Sequence, residues 1–125
     1  MIYLDTHVVI WLYGGMVEKL SARAKELINA NATVVSPLVQ LELQYLFEIK
    51  KIVTAPDKIL TTLKTDIGLE SKTSDLVDLI TQSLVLTWTR DPFDRLITAQ
   101  ALLDKSVLLT KDPEIRKHVD LAVWD

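Results

Sequence analysis

The stretch Thr89-Arg90-Asp91-Pro92-Phe93-Asp94-Arg95 crowds two carboxylates and two guanidinium groups into one helix start. Asp91 reads as an N-cap and Pro92 as the first helical residue. Asp94 then falls in the first turn, where a carboxylate complements the positive end of the helix dipole. Alone, this is a well-capped helix. Other acids give it a second meaning. Asp5 follows the apolar run Ile2-Tyr3-Leu4, and Asp112 lies just beyond Val107-Leu108-Leu109, so both are expected past the carboxyl end of a strand. In an open parallel sheet those ends form the edge where ligands bind. A helix that leads back across the sheet starts at the same edge, which lets Asp94 reach it. Each acid also has an ordinary use as a cap or dipole partner, so the pattern carries more weight than any member.

Glu42 lacks such a use. The helix expected after Ser36-Pro37 places Leu38, Leu41, Tyr45, Leu46 and Ile49 on one side and Gln40, Gln44, Glu48 and Lys51 on the other. Glu42 falls inside the apolar stripe, one turn after Leu38 and one turn before Leu46. A carboxylate facing inward must be protonated, paired with a cation such as Arg95, or bound to a metal. Several carboxylates gathered without an interleaved lysine repel one another and are pushed toward protonation. A divalent cation removes that conflict. Oxygen donors, no cysteine and one nearby imidazole, His7, suit Mg²⁺ or Mn²⁺ better than zinc. The chemistry this implies is metal-assisted hydrolysis of a phosphate ester. Arg95 could grip the phosphate in bidentate fashion, or be used up in an ion pair with Glu42 or Asp91. Lys111, Arg116, Lys117 and His118 form a basic cluster that reads either as a nucleic-acid path or as a solvated helix face.

The elements that must position these groups follow from the hydrophobic pattern and its punctuation. Residues 2–4 read as a strand, and a helix runs from Asp5-Thr6-His7 to Gly14-Gly15. Ser21 caps a helix over 22–30, and residues 33–35 form a second strand. Ser36-Pro37 opens a helix to about Lys51. Pro56 opens another through Ile67, closed near Gly68. Residues 68–73 stay open between an edge strand and a loop, and Thr73 or Ser74 caps a helix over 76–84. After the Asp91-Pro92 helix come a strand at 107–109, a helix at Asp112-Pro113 and a last strand at 121–123. Strands alternating with helices predict a parallel sheet.

Composition bounds the function. The 125 residues make one domain, 1–125. With 17 acidic and 14 basic residues the net charge is -3, so no global field draws the chain to nucleic acid and any such partner is held locally. The absence of cysteine excludes disulfide and thiolate chemistry and suits a reducing cytoplasm. An acid at position 5, with no basic residue before it, argues against a signal peptide. No apolar run reaches membrane-spanning length. Trp11, Tyr13, Leu43, Phe47 and the helix from Pro56 to Ile67 offer apolar surface for a second copy or a partner, or else fill the core.

Taken in order, Leu4-Asp5-Thr6-His7, Ser36 followed by Glu42, Asp91-Pro92-Phe93-Asp94-Arg95, Leu109-Thr110-Lys111-Asp112 and a terminal strand ending in Trp124 give a chain that resembles the PIN-domain ribonucleases, and within them the VapC-type toxins of bacterial toxin–antitoxin modules. The resemblance implies a three-layer α/β/α domain around a mostly parallel sheet. It also implies Mg²⁺-dependent cleavage of RNA, a cognate antitoxin that blocks the site, and a homodimer. The family's acidic set falls on Asp5, Glu42, Asp94 and Asp112, with Thr6, Asp91, Arg95 and Thr110 in supporting or substrate-facing places. Thr89 stands where many relatives carry a histidine before the arginine, so no histidine role is expected there. Three readings compete with this one. They are a domain that keeps the fold without turnover, a receiver-like phosphoacceptor, which would want adjacent acids after the first strand, and a haloacid-dehalogenase-like phosphatase, which would want an acid where His7 stands.

Overall fold

The computed structural model describes residues 1–125. Five short strands form one parallel sheet: β1 (Ile2–Leu4), β2 (Thr33–Val35), β3 (Glu70–Ser71), β4 (Val107–Leu109) and β5 (Ala122–Val123), in the order β3-β2-β1-β4-β5. Every neighbouring pair runs parallel, so the sheet expected to be mostly parallel is entirely so. The helices α1 (Thr6–Tyr13), α2 (Ala22–Ala30), α3 (Pro37–Glu48), α4 (Pro56–Ile67), α5 (Leu76–Leu84), α6 (Pro92–Leu103) and α7 (Pro113–His118) complete a three-layer α/β/α domain. The strand order reverses direction between β1 and β4, and at such a switch point the carboxyl ends of two neighbouring strands open onto a crevice.

Register decides what meets there. Leu4 of β1 pairs with Leu109 of β4, which brings Asp5 beside Thr110, and the Asp5 N–H donates to the Leu109 carbonyl at 3.1 Å. The central strands are buried on both faces, as a sheet covered by two helical layers requires. Tyr3, Leu4, Leu108 and Leu109 are fully enclosed, with Val8 and Val9 of α1, Val39 and Leu43 of α3 and Ile115 of α7 packed on them. Helix α4 closes as expected at Gly68, whose φ of +73° is the left-handed conformation that glycine adopts without strain. No helix is long and apolar enough to cross a membrane.

Several local expectations change. Helix α3 stops at Glu48 rather than near Lys51, and Asp75 caps α5 in place of Thr73 or Ser74, its side chain accepting from the Asp78 N–H at 3.0 Å. The undecided stretch 68–73 does contain the edge strand β3. The apolar side assigned to α3 is partly wrong: Val39 and Leu43 are its buried residues, while Leu41, Tyr45 and Ile49 are exposed. Leu43 is therefore core, as are Ile59 and Leu63 of α4. Solvent instead meets α5, where Leu76, Val77, Ile80 and Leu84 are exposed and only Leu79 and Ser83 are buried. Helix α5 is a single covering layer on α6, and its apolar residues spread beyond the one side that packs there, so Leu76, Val77, Ile80 and Leu84 stay outside.

Candidate metal-binding cleft

Three helix N-termini face the switch point, and each is capped by an aspartate. Asp5 caps α1, its Oδ1 accepting from the Thr6 N–H at 2.8 Å. Asp91 caps α6, its Oδ1 accepting from Phe93 at 2.8 Å and Asp94 at 3.2 Å. Asp112 caps α7, its Oδ1 accepting from Glu114 at 2.8 Å and Ile115 at 3.3 Å. The orphan N–H groups of each first turn and the positive end of each dipole hold these carboxylates in place. Proline follows the cap in α6 and α7, fixing the backbone entry angle. A fourth acid arrives from α3, which starts at Ser36, itself buried and capping Leu38 N–H at 3.1 Å. Glu42 lies between Leu38 and Leu46, half-buried, and the Thr6 hydroxyl donates to it.

Together they wall a cleft of about 280 Å³ lined by Asp5, Thr6, His7, Ile10, Glu42, Leu46, Asp91, Asp94 and Asp112. The cleft thus gathers five carboxylates, and neither lysine nor arginine forms an ion pair with any of them. The electrostatic strain shows on the two acids that are not helix caps. Asp94 has its carboxyl pushed up to about 7 by burial first and then by Asp91, Asp5, Asp112 and Glu42. Glu42 is shifted in the same direction, chiefly by burial, with the Thr6 hydroxyl opposing and Asp5 and Asp91 adding to it. Repulsion of this kind is what a hard dication relieves, and an all-oxygen donor set is what Mg²⁺ and Mn²⁺ accept. The donors fit such an ion by type. As the side chains stand, no three of them surround a common point as ligands, so binding would draw in the side chains free to turn. Asp94, which accepts no hydrogen bond, is the freest.

Thr110 and Thr6 support this arrangement from behind. Thr110 is fully buried; its Oγ1 donates to Asp5 Oδ2 at 2.7 Å and accepts the Asp112 N–H at 3.1 Å, tying two of the acids together. Arg95 departs from expectation. It makes neither ion pair considered for it, because its Nε donates to the Thr89 carbonyl at 2.7 Å and so braces the loop before α6. Its side chain is not part of the cleft wall. Asp91, given a supporting place, lines the cleft as directly as the others.

His7 is the residue whose place in the cleft the sequence under-read. Its Nε2 accepts the Lys111 N–H at 2.9 Å, so Nδ1 carries the proton and faces Asp5 Oδ2 at 3.7 Å. Burial, the largest effect, pulls its pKa down and outweighs the upward pull of Asp5 and Asp112. The ring also packs on Trp11, centroids 5.0 Å apart, and on Trp124 at 6.2 Å. The spacing Asp5-Thr6-His7, an imidazole in the first turn after a sheet-edge acid, was the available signal.

Fold and site define an α/β domain with a cluster of acids at the switch point of a parallel sheet. The PIN domain model matches residues 2–121, and the chain belongs to that family. This sets aside the receiver-like and phosphatase-like readings. No curated protein matches the sequence. Among solved structures, a chain of a toxin–antitoxin complex from Klebsiella pneumoniae is similar at 18% identity and TM-score 0.69, covering 98% of this chain and 96% of that one. A chain of VapBC2 from Rickettsia felis, bound to a DNA fragment from their promoter, matches at 21% identity and TM-score 0.66 over 100% of both chains. DNA-bound VapBC from Salmonella typhimurium gives 20% identity and TM-score 0.60, covering 92% of this chain and 89% of that one. These likenesses establish the fold.

Proposed function

We propose that this chain is a VapC-type toxin: a Mg²⁺-dependent endoribonuclease, with Mn²⁺ as a substitute ion, acting in the cytoplasm and held in check by a cognate antitoxin. The observation that carries the reading is the cleft of five carboxylates without a cationic partner. In this proposal Asp5, Glu42 and Asp94 are the ligands of one ion, and Asp112 completes the set directly or through water. When bound, a hard dication supplies water activation and charge stabilisation at a phosphodiester. The chain's own residues do the positioning. Thr110 and the Thr6 N–H fix the two oxygens of Asp5, the Thr6 hydroxyl orients Glu42, and the α6 cap keeps Asp91 beside Asp94. As a ligand, Asp94 would give up to solvent the proton that burial and the neighbouring acids otherwise favour on it, so ion binding would release a proton.

The antitoxin and the homodimer belong to the same proposal. The solved neighbours are chains of toxin–antitoxin complexes, which supports a protein partner. The exposed apolar row of Leu76, Val77, Ile80 and Leu84 on α5 supports a second copy. The test is cleavage of a panel of structured RNAs by the purified chain with Mg²⁺, with a chelator, and as Asp5→Asn. Cleavage should need the ion and fall roughly 100-fold or more in Asp5→Asn. If the metal-loaded chain leaves every RNA intact, or cleaves equally well as Asp5→Asn, the nuclease assignment is wrong.

A further inference from the structure

The acidic cleft is one end of a longer depression. A shallow hollow lined by His7, Trp11, Lys111, Asp112 and Pro113 shares His7 and Asp112 with it. That hollow in turn shares Pro113 with a larger cavity, about 470 Å³, whose walls include Arg23, Arg116, Lys117 and Trp124. Charge changes sign along this line, from five carboxylates through Lys111 to three cations. On a chain of net charge -3, a local basic surface continuous with the acid cleft is where a polyanion would be held. The residues of α3, on the Glu42 side, include no lysine or arginine between Pro37 and Glu48.

The middle of the line is aromatic. The rings of Trp11 and His7 lie 5.0 Å apart and tilted by 56°, with Trp124 packed edgewise 5.9 Å from Trp11. The ammonium groups of Lys19 and Lys111 stand 5.5 Å and 5.9 Å from the Trp11 ring centre. Aromatic faces beside cations bind unpaired bases, whose planes stack while their phosphates meet the charges. Only an unpaired strand offers those planes. The exposed Arg116–Asp125 pair, at 3.2 Å, can open to a phosphate at little cost, because a surface ion pair of this kind contributes almost nothing to stability.

We infer that single-stranded RNA lies along this track, from the acidic cleft over the Trp11–His7 shelf to the Arg116–Lys117 cavity, so that the enzyme holds nucleotides on one side of the cut. This rests on the nuclease reading for the cut itself, but not for the binding. Fluorescence anisotropy of a labelled unstructured 12-nucleotide RNA, a length set at roughly one to two binding-site sizes, is measured with Asp5→Asn alone and with Asp5→Asn carrying Arg116→Ala and Lys117→Ala, or Trp11→Ala. The double cation change should weaken binding about tenfold and flatten the salt dependence by about 1.4, at ~0.7 per lost phosphate contact. Trp11→Ala should weaken it about tenfold through lost stacking. Lys111→Ala, on an exposed residue, serves if Trp11→Ala does not fold. In the otherwise native chain, Arg116→Ala with Lys117→Ala should raise KM and leave kcat unchanged.

The outcomes separate the two ideas. Loss of binding in these variants with no cleavage by the native chain supports the track and ends the nuclease reading. Normal cleavage and undiminished binding in the variants overturns the track alone. Duplex RNA bound as tightly as the single strand, or no RNA binding at all, also overturns it.

Discussion

Asp94 concentrates the electrostatic cost of the cleft, and replacing it tests that cost. Its carboxyl is pushed up from 3.8 to about 7. A tenfold change in proton affinity is worth about 1.4 kcal/mol, which sets a ceiling of ~4 kcal/mol on the destabilisation that the ionised group causes. Part of the side chain meets water, and solvent screening brings the figure down to about 1–2 kcal/mol. The sign follows from linkage: the folded chain holds the proton more tightly than the unfolded chain, so stability falls as pH rises from about 4 to about 7 and is flat above. Asp94→Asn cannot ionise and loses this dependence. In the presence of chelator at pH 8 it should be more stable than the native chain by about 1–2 kcal/mol, while at pH 4 the two should coincide. For a chain of this length each kcal/mol moves Tm by roughly 3–6 °C, so thermal melts across pH 4–8, with urea unfolding for the free energies, read it directly. Added Mn²⁺ should then stabilise the native chain more than the variant, in proportion to the logarithm of ion concentration. Equal stability of the two at pH 8, or a variant weaker at every pH, would refute the claim that mutual repulsion and burial load this residue.

Thr110→Val removes a buried hydroxyl that serves both Asp5 and the Asp112 N–H, and should cost about 1–3 kcal/mol in urea unfolding while lowering any metal affinity measured by titration calorimetry. Leu43→Ala truncates a fully buried side chain of α3 and should cost 2–5 kcal/mol, at about the usual value for such cavities; a loss under about 0.5 kcal/mol would mean that this helix does not pack as described. Leu84→Glu on the exposed face of α5 should leave monomer stability within about 0.5 kcal/mol and tests the proposed homodimer, for which light scattering should give a dimer mass for the native chain and a monomer mass for the variant.

The acids of the cleft were legible because each carries a local signature. Asp-Pro at 91–92 and 112–113, and the acid directly after Ile2-Tyr3-Leu4, mark helix starts and strand ends without knowledge of any contact. Glu42 was reached by a stripe that proved partly misdrawn: Leu41 and Tyr45 are exposed, yet Leu38 and Leu46 still flank it, so the inward reading survives. The ion pairs considered for Arg95 did not form, for the opposite reason. A long flexible side chain has many partners within reach, and a backbone carbonyl six residues earlier took its Nε. The exposed apolar row on α5 was passed over because periodicity marks an amphipathic helix without telling how many of its faces find cover.

By itself, then, the chain's pattern determined the alternation of strands and helices, the three aspartate caps and the family signature, since these depend on dihedral preference, hydrogen-bond chemistry and spacing along a few residues. Only the tertiary structure decided that Leu4 pairs with Leu109, so that Thr110 clamps Asp5, that His7 turns one nitrogen to Lys111 and the other to Asp5, and that Asp94 holds its proton near neutrality. Those outcomes depend on separations of a few ångströms between residues roughly a hundred positions apart, and on how much water remains between them. Local preference carries neither quantity.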